Sequence, residues 1–335
     1  MNYIGSKNKL SSFIKQSITE VVGERKLYSK TFCDLFAGTG VVGRTFKNDV
    51  KKVIANDFEY YSYVLLLNYI GNSAVIQNSQ IYLQQLNEIP PQEGFIYNNY
   101  CLGSGSGRQY FSDDNGRRID AARMQIELWN RKGEIHAPLY FFLLASLLES
   151  ADKVANTASV YGAFLKHLKT SAEKSLVIKA AEFELTGQEN WVFQMDSNVL
   201  IKKIKGDILY LDPPYNARQY GANYHMLNTI ALYDDFVPKG KTGLREYEKS
   251  SYCSKSTVLS SFRELIHHAQ FRYIFLSYNN EGLMSLEEIQ GVLKEYGRYD
   301  RMETDYQRFK ADRDANRTHK ATSTVEYLHI LEKIP

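Results

Sequence analysis

Cysteine is scarce: the 335 residues hold three, Cys33, Cys101 and Cys253, without paired spacing. This argues against a disulfide framework and a zinc site, so no metal is expected, and it fits a reducing cytoplasm. Long apolar runs are missing as well. No stretch approaches the ~20 residues that span a bilayer, and no secretory leader is visible; the expectation is a cytoplasmic protein that does not touch a membrane. Nor is there an excess of one charge. Forty-one Lys and Arg against 38 Asp and Glu leave a net +3, so any nucleic-acid surface must be a local patch. What remains is ordinary for a globular chain, 44% hydrophobic and 24% charged, with length for one large domain plus an insertion or a small second domain.

The sharpest feature is Asp212-Pro213-Pro214-Tyr215. It follows the apolar run Ile208–Leu211, which reads as a buried strand. Two prolines cannot continue a ladder, so the chain turns out at the strand's carboxyl end, where open α/β sheets bind ligands. The turn offers a carboxylate, the Pro213 carbonyl and an aromatic face. A planar group with an exocyclic NH2 needs two acceptors and a ring to stack on. Taken alone, the same residues also fit a Pro-Pro turn in which Asp212 is a local hydrogen-bond partner.

Around this turn the chain reads as strands ending in acids. Thr31 to Phe36 is a strand by composition, followed by Gly38, Gly40 and Gly43 in the pattern G-x-G-x-x-G and then a helix, as at a nucleotide-type cofactor. The strand Val53 to Asn56 ends at Asp57, about 20 residues past the glycines, where an acceptor for ribose hydroxyls is expected. Trp191 to Met195 ends at Asp196, which also suits the N-cap of the next helix. Arg272 to Tyr278 is a fifth strand. Ser285 and Glu288 form a capping box, and 299–309 with 323–331 resembles a hairpin joined by a charged loop, Lys310 to Lys320. Asp57, Asp196 and Asp212 are therefore expected on one rim. Ahead of them, Lys7 lies near a helix start that suits carboxylate binding.

The middle of the chain breaks the pattern. Residues 71–187 read as an inserted, mainly helical module between the two parts of a sheet domain, 1–70 and 188–335. Arg108, Arg117, Arg118 and Arg123 follow a flexible glycine stretch beside Tyr110 and Phe111, and a helix is expected from Ser159 to Ser175 carrying Lys166, His167, Lys169 and Lys174. Arginines and lysines with interleaved aromatics suit phosphate and base contacts. Arg218, Tyr224 and His225, after the Pro-Pro turn, are further DNA candidates.

With the glycine loop, the acid after the second strand and Asp-Pro-Pro-Tyr after the fourth, the chain resembles the Dam-like, D12-class (α-group) N6-adenine DNA methyltransferases. Asn2 to Leu10 resembles their motif X. Residues 144–166 and 277–285 resemble the members that accompany restriction endonucleases. The resemblance implies an α/β, Rossmann-like sheet with an inserted helical target-recognition region. It implies S-adenosylmethionine as methyl donor, double-stranded DNA as substrate, a flipped-out adenine, a monomer, and a cognate restriction endonuclease without obligatory complex. By motif, Tyr3, Lys7, Asp34, Phe36, Gly38, Gly40, Asp57 and Phe58 would hold the cofactor, and Asp196 would take its adenine amino group. Asp212, Pro213, Pro214 and Tyr215 would hold the target base, with Asp212 also within reach of the cofactor's ammonium. A cytosine-N4 methyltransferase shares this chemistry but more often carries Ser in place of Asp212. A nicotinamide oxidoreductase explains the glycines and Asp57 and leaves Asp212 to Tyr215 and Lys7 without a role. A non-catalytic DNA-binding module would not need the acid-ended strands.

Overall fold

The computed structural model describes residues 7–307 and 323–334. By contact they divide into two units. Among the described residues, the first holds Glu59–Leu185 and Tyr220–Glu248, and the second holds the described parts of Gly5–Phe58, Thr186–Gln219 and Lys249–Pro335.

The second unit is built on seven strands: β1 (Thr31–Asp34), β2 (Lys52–Asn56), β3 (Trp191–Phe193), β4 (Lys205–Leu211), β5 (Gln270–Asn279), β6 (Gly297–Gln307) and β7 (Ser323–Lys333). Their order across the sheet is β3-β2-β1-β4-β5-β7-β6. β1 to β5 pair in parallel, while β7 runs antiparallel to both β5 and β6. From β1 the sheet grows one way to β2 and β3, and from β4 the other way to β5. The carboxyl ends of β1 and β4 therefore flank the switch point at which doubly wound sheets bind ligands. The expected Rossmann-like sheet, its hairpin and the capping box at Ser285 are all present. The expected loop Lys310 to Lys320 lies outside the described residues.

Strand alternation decides which residues face which layer. Cys33, Leu35, Ile54, Leu209, Leu211, Ile274, Leu276 and Leu331 share one face, packed in a core with Phe262, Leu265 and Ile266 of the helix Val258–His268 and Ile289, Val292 and Leu293 of the helix Leu286–Lys294. The other face carries Phe32, which stacks on Phe46 of the helix Val41–Phe46 at 4.4 Å. In register with Phe32, that same face carries Ile208, and one alternation further on Asp34 pairs with Tyr210. Phe275 sits opposite both Tyr210 and Ile330, and Ser277 opposite Leu328. This face therefore turns polar toward the carboxyl ends of the parallel strands.

The first unit is helical. Tyr60–Leu66 runs into a π turn, Leu67–Gly71, and is followed by Ser79–Glu88, Phe95–Tyr100, Asp113–Arg131, Ala137–Val154 and His225–Leu232. Val64, Leu65, Ile119, Ile126, Leu143, Leu147, Met226 and Ile230 are in its core. Ser112 caps Asp113–Arg131 by accepting from the Asn115 amide, with Asp113 and Asp114 in the first turn, where the helix dipole favours acids.

Two expectations change here. The helical unit begins at Glu59 rather than near 71 and takes in Tyr220–Glu248. The physical reason lies in Asn228, whose side chain accepts from the Tyr61 amide at 2.9 Å and donates to Glu59 at 2.6 Å. The helix expected over Ser159 to Ser175 is replaced by an irregular segment with one short turn, Thr170–Glu173. Buried Asn156 holds that segment by donating to the carbonyls of Gln109 and Leu165 and accepting from the Lys169 amide. These bonds substitute for a helical ladder.

Candidate active site

The glycine loop follows β1 as expected. Gly38 and Gly40 take the left-handed conformation, φ 54° and 78°, which a Cβ would strain. Three bonds fix the loop: Ala37 N–H to the Asn56 carbonyl at 2.9 Å, Gly38 N–H to Asp57 Oδ2 at 2.8 Å and Gly43 N–H to Asp34 Oδ2 at 2.9 Å. Asp57 therefore does two things at the end of β2. It braces the loop with one oxygen and stands next to Phe58, which is partly exposed. Asp34 is buried, and its role here is to hold the start of the helix Val41–Phe46. Burial, with Asp212 and Asp57 nearby adding to it and the Gly43 hydrogen bond opposing, raises its pKa to about 8. Phe36 meets the ring of buried Tyr252 edge-on at 5.0 Å.

Asp196 caps the short helix Ser197–Leu200 through Oδ1, accepting from Asn198 and Val199 amides at 2.9 and 3.0 Å. It is exposed. Asn56 ties this strand end to the rest of the rim. Its amide donates to the Leu35 and Met195 carbonyls, both at 3.1 Å, and accepts from Met195 N–H at 3.0 Å. Sequence reasoning passed over Asn56; the signal was a polar residue at an inward strand position.

Asp212 leaves β4 half-buried and meets Lys7. The ammonium lies 3.2 Å from Asp212 Oδ1 and 2.7 Å from Glu326 Oε1, and Ser277 Oγ donates to the same Glu326 oxygen at 2.9 Å. Burial raises the Asp212 pKa to about 6; Lys7 opposes the rise and Glu326 adds to it. Burial alone would lower the Lys7 pKa, but Asp212 and then Glu326 outweigh it and hold the ammonium well above its usual range. Lys7 thus grips two carboxylates, and both belong to the protein. Glu326 was missed. Pro213 is buried, and Pro214 and Tyr215 are half-buried. The Tyr215 carbonyl accepts from Leu283 N–H at 3.0 Å, which joins the Pro-Pro turn to the segment after β5. Tyr3 lies outside the described residues.

The DNA candidates separate into two groups. Arg123, Tyr224 and His225 are buried and cannot reach a duplex as placed. Arg123 donates to the Ile230 and Ala231 carbonyls and pairs with Glu127. His225 Nε2 lies 3.0 Å from the Tyr161 carbonyl, and burial lowers its pKa to about 4, so it stays neutral. Tyr224 packs against Tyr61 and Tyr220. The expectation that these three contact DNA is corrected: their polar groups serve the helical core. Arg108 is tied by its guanidinium to the carbonyls of Asn99, Gly240 and Lys241. Arg117 lies over the Tyr97 ring and pairs with Glu93, and Arg118 pairs with Asp114 four residues back. Arg218 is exposed. No group of acids, histidines and cysteines among the described residues has the arrangement of a metal site, and no described helix is long and apolar enough to cross a membrane.

Known proteins resemble this chain over nearly its whole length. The type II methyltransferase M.NlaIII of Neisseria lactamica is 64% identical over 333 residues, 99% of each chain. M.CviAII of Paramecium bursaria Chlorella virus 1 is 38% identical, over 93% of each chain. M.FokI of Planomicrobium okeanokoites is 38% identical over 99% of this chain, which spans 53% of that longer protein. The family profile of D12 class N6 adenine-specific DNA methyltransferases matches residues 3–292. The chain belongs to that family and is an N6-adenine DNA methyltransferase of the restriction-modification type.

Proposed function

We propose that this enzyme methylates N6 of an adenine swung out of duplex DNA, at one recognition sequence, with S-adenosylmethionine as donor and with Asp212 as the group that receives the target amine. One observation carries the reading: Asp212 stands at the carboxyl end of β4, beside the switch point, with its charge held by Lys7.

The donor set suits such a cofactor. Asp57 is an acceptor for ribose hydroxyls, Phe58 offers an exposed ring edge beside it, and the left-handed glycines let backbone approach closely. Asp196, with one oxygen spent on its cap, keeps a second for an adenine amino group. Phe36, Gly38 and Gly40 complete the cradle. When bound, the cofactor supplies an electrophilic methyl group on a sulfonium.

The residues of the chain do the rest. An exocyclic amine is a poor nucleophile because its lone pair is delocalised into the ring. Asp212 and the Pro213 carbonyl accept hydrogen bonds from its two N–H groups and localise the lone pair on nitrogen, toward the methyl donor. Tyr215 stacks on the extruded base. Positioning and electrostatics supply the rate, without a covalent intermediate. Burial holds the Asp212 pKa near 6, close enough to neutrality for the carboxylate to take up the amine's proton and release it.

The helical unit, with Arg108, Arg117 and Arg118, and the exposed Arg218 are proposed to read the DNA site. The same reading makes the protein a cytoplasmic monomer that protects the sites of a cognate restriction endonuclease without a standing complex. The test is the destination of tritiated methyl groups. They are expected in N6-methyladenine of duplex DNA and within one sequence context. Label in cytosine alone, or in RNA but not DNA, overturns the reading.

A further inference from the structure

Glu326 has no part in the mechanism above. It lies 319 residues from Lys7 in sequence, yet among the described residues its carboxylate is that lysine's nearest anion, at 2.7 Å. The reason is topological. β7 runs against its neighbours, so residues at its start reach the rim where β4 ends. Alternation then sets Glu326 on the face that carries Asp34, Tyr210 and Ser277. An acid at an inward position of a strand otherwise lined by Leu328 and Ile330 is costly unless paired, and here Lys7 and Ser277 both donate to one of its oxygens.

Lys7 is thus shared unequally. Glu326, at 6% side-chain exposure, takes the shorter contact; Asp212, at 18%, takes the longer one of 3.2 Å. Two carboxylates and one ammonium leave the trio with a formal charge of −1, and the excess resides on the member that faces outward. We propose that Glu326 is a positioning residue that acts through Lys7: by drawing the ammonium to itself, it leaves Asp212 with surplus negative charge for the target amine. The inference rests on the reading that Asp212 receives that amine.

The chemistry asks for that surplus. The amine nitrogen forms a bond to the methyl carbon while the carbon–sulfur bond breaks and its electron pair stays on sulfur. Positive charge moves onto nitrogen, which then passes one proton to Asp212 and from there to solvent. A carboxylate fully paired with Lys7 would accept that proton less readily, and its field at the nitrogen would be largely cancelled. Among the described residues, the groups that face Asp212 are Lys7, Glu326 on β7, Tyr210 on β4 and Asp34 on β1. Of these, Lys7 lowers the Asp212 pKa and Glu326 raises it. Removing the Glu326 charge must therefore lower it twice, once by losing a like charge and once by releasing Lys7 to Asp212.

The test is the pH profile of single-turnover methyl transfer to duplex DNA, counted as N6-methyladenine, for the natural enzyme and Glu326→Gln. Glutamine keeps the volume and can still accept from Lys7 and Ser277. The acid limb is expected to move down by about one pH unit, as for loss of one neighbouring charge. The plateau is expected to fall by up to about tenfold, as for an acceptor one unit less basic. A folded variant whose limb stays in place or moves up overturns the inference and leaves Glu326 a structural residue. Should Glu326→Gln fail to fold, Ser277→Ala keeps both charges but strips Glu326 of a donor, so the carboxylate leans harder on Lys7. Its limb should move up, and a limb unmoved or moved down overturns the inference. An Asp212→Ala variant that keeps a near-natural single-turnover rate refutes the underlying reading instead.

Discussion

Replacing Lys7 by methionine should destabilise the fold, because it leaves Asp212 and Glu326 without their shared cation. The side chains of Lys7 and Glu326 are 7% and 6% exposed and that of Asp212 is 18% exposed. An exposed ion pair contributes only about 0–1 kcal/mol. Removing one member of a buried pair costs about 3–5 kcal/mol, because the other charge stays behind without compensation. Here two carboxylates stay behind, so Lys7→Met is expected in that upper range. The sign with pH follows from the two shifts. The Lys7 pKa is raised in the fold, so its stabilisation is complete below the usual lysine value and is lost only as pH climbs through the raised one. The Asp212 pKa is raised to about 6, so ionising it opposes folding, and this penalty sets in as pH rises from the usual carboxylate value through about 6. In Lys7→Met the repulsion between the two carboxylates can be relieved by protonating Asp212, whose pKa burial already raises. The deficit should therefore be full at pH 8 and clearly smaller at pH 5. Urea unfolding followed by circular dichroism at the two pH values measures it. A deficit below about 1 kcal/mol at pH 8, the size of a surface pair, or one that grows toward pH 5, would refute the reasoning.

Asp57→Ala removes both the acceptor at the end of β2 and the brace on the Gly38 amide; cofactor affinity by calorimetry should fall by about 10-fold or more, the size of one charged hydrogen bond. Arg123→Met should lower the melting temperature, since the guanidinium holds the Ile230 and Ala231 carbonyls in the core, while Arg118→Gln should leave it within error. Any DNA-binding defect of Arg123→Met should track its unfolded fraction, and a folded variant with altered sequence preference would contradict its core assignment.

The parallel sheet was legible in the sequence because its signals are local. Ile208 to Leu211 before two prolines, and Val53 to Asn56 before Asp57, each carry strand and turn within ten residues, so the acid-tipped rim could be drawn in advance. The capping box at Ser285 is equally local. Glu326 was not legible, because its meaning depends on β7 inserting antiparallel between β5 and β6, a pairing no short window contains. The only local trace was an acid set among apolar strand residues. A helix is expected over Ser159 to Ser175, yet Asn156 and Lys169 hold the segment in an irregular path with Ser159 at φ 102°. Arg123 and His225 show the converse limit. Residue type suggested nucleic-acid contact, but long-range packing against 230–231 and Tyr161 turned them inward.

The central claim, that Asp212 receives the target amine, is tested most directly by Asp212→Ala in two measurements on one preparation. Single-turnover methyl transfer to duplex DNA should fall by roughly 10²–10³, the usual cost of one preorganised electrostatic contact in a water-excluded site. Cofactor affinity, titrated in the absence of DNA, should stay within a few-fold, and the fold should persist because Asp212 sits beyond the end of β4 rather than in the core. A variant that binds cofactor and still methylates adenine at a near-natural single-turnover rate would contradict the account.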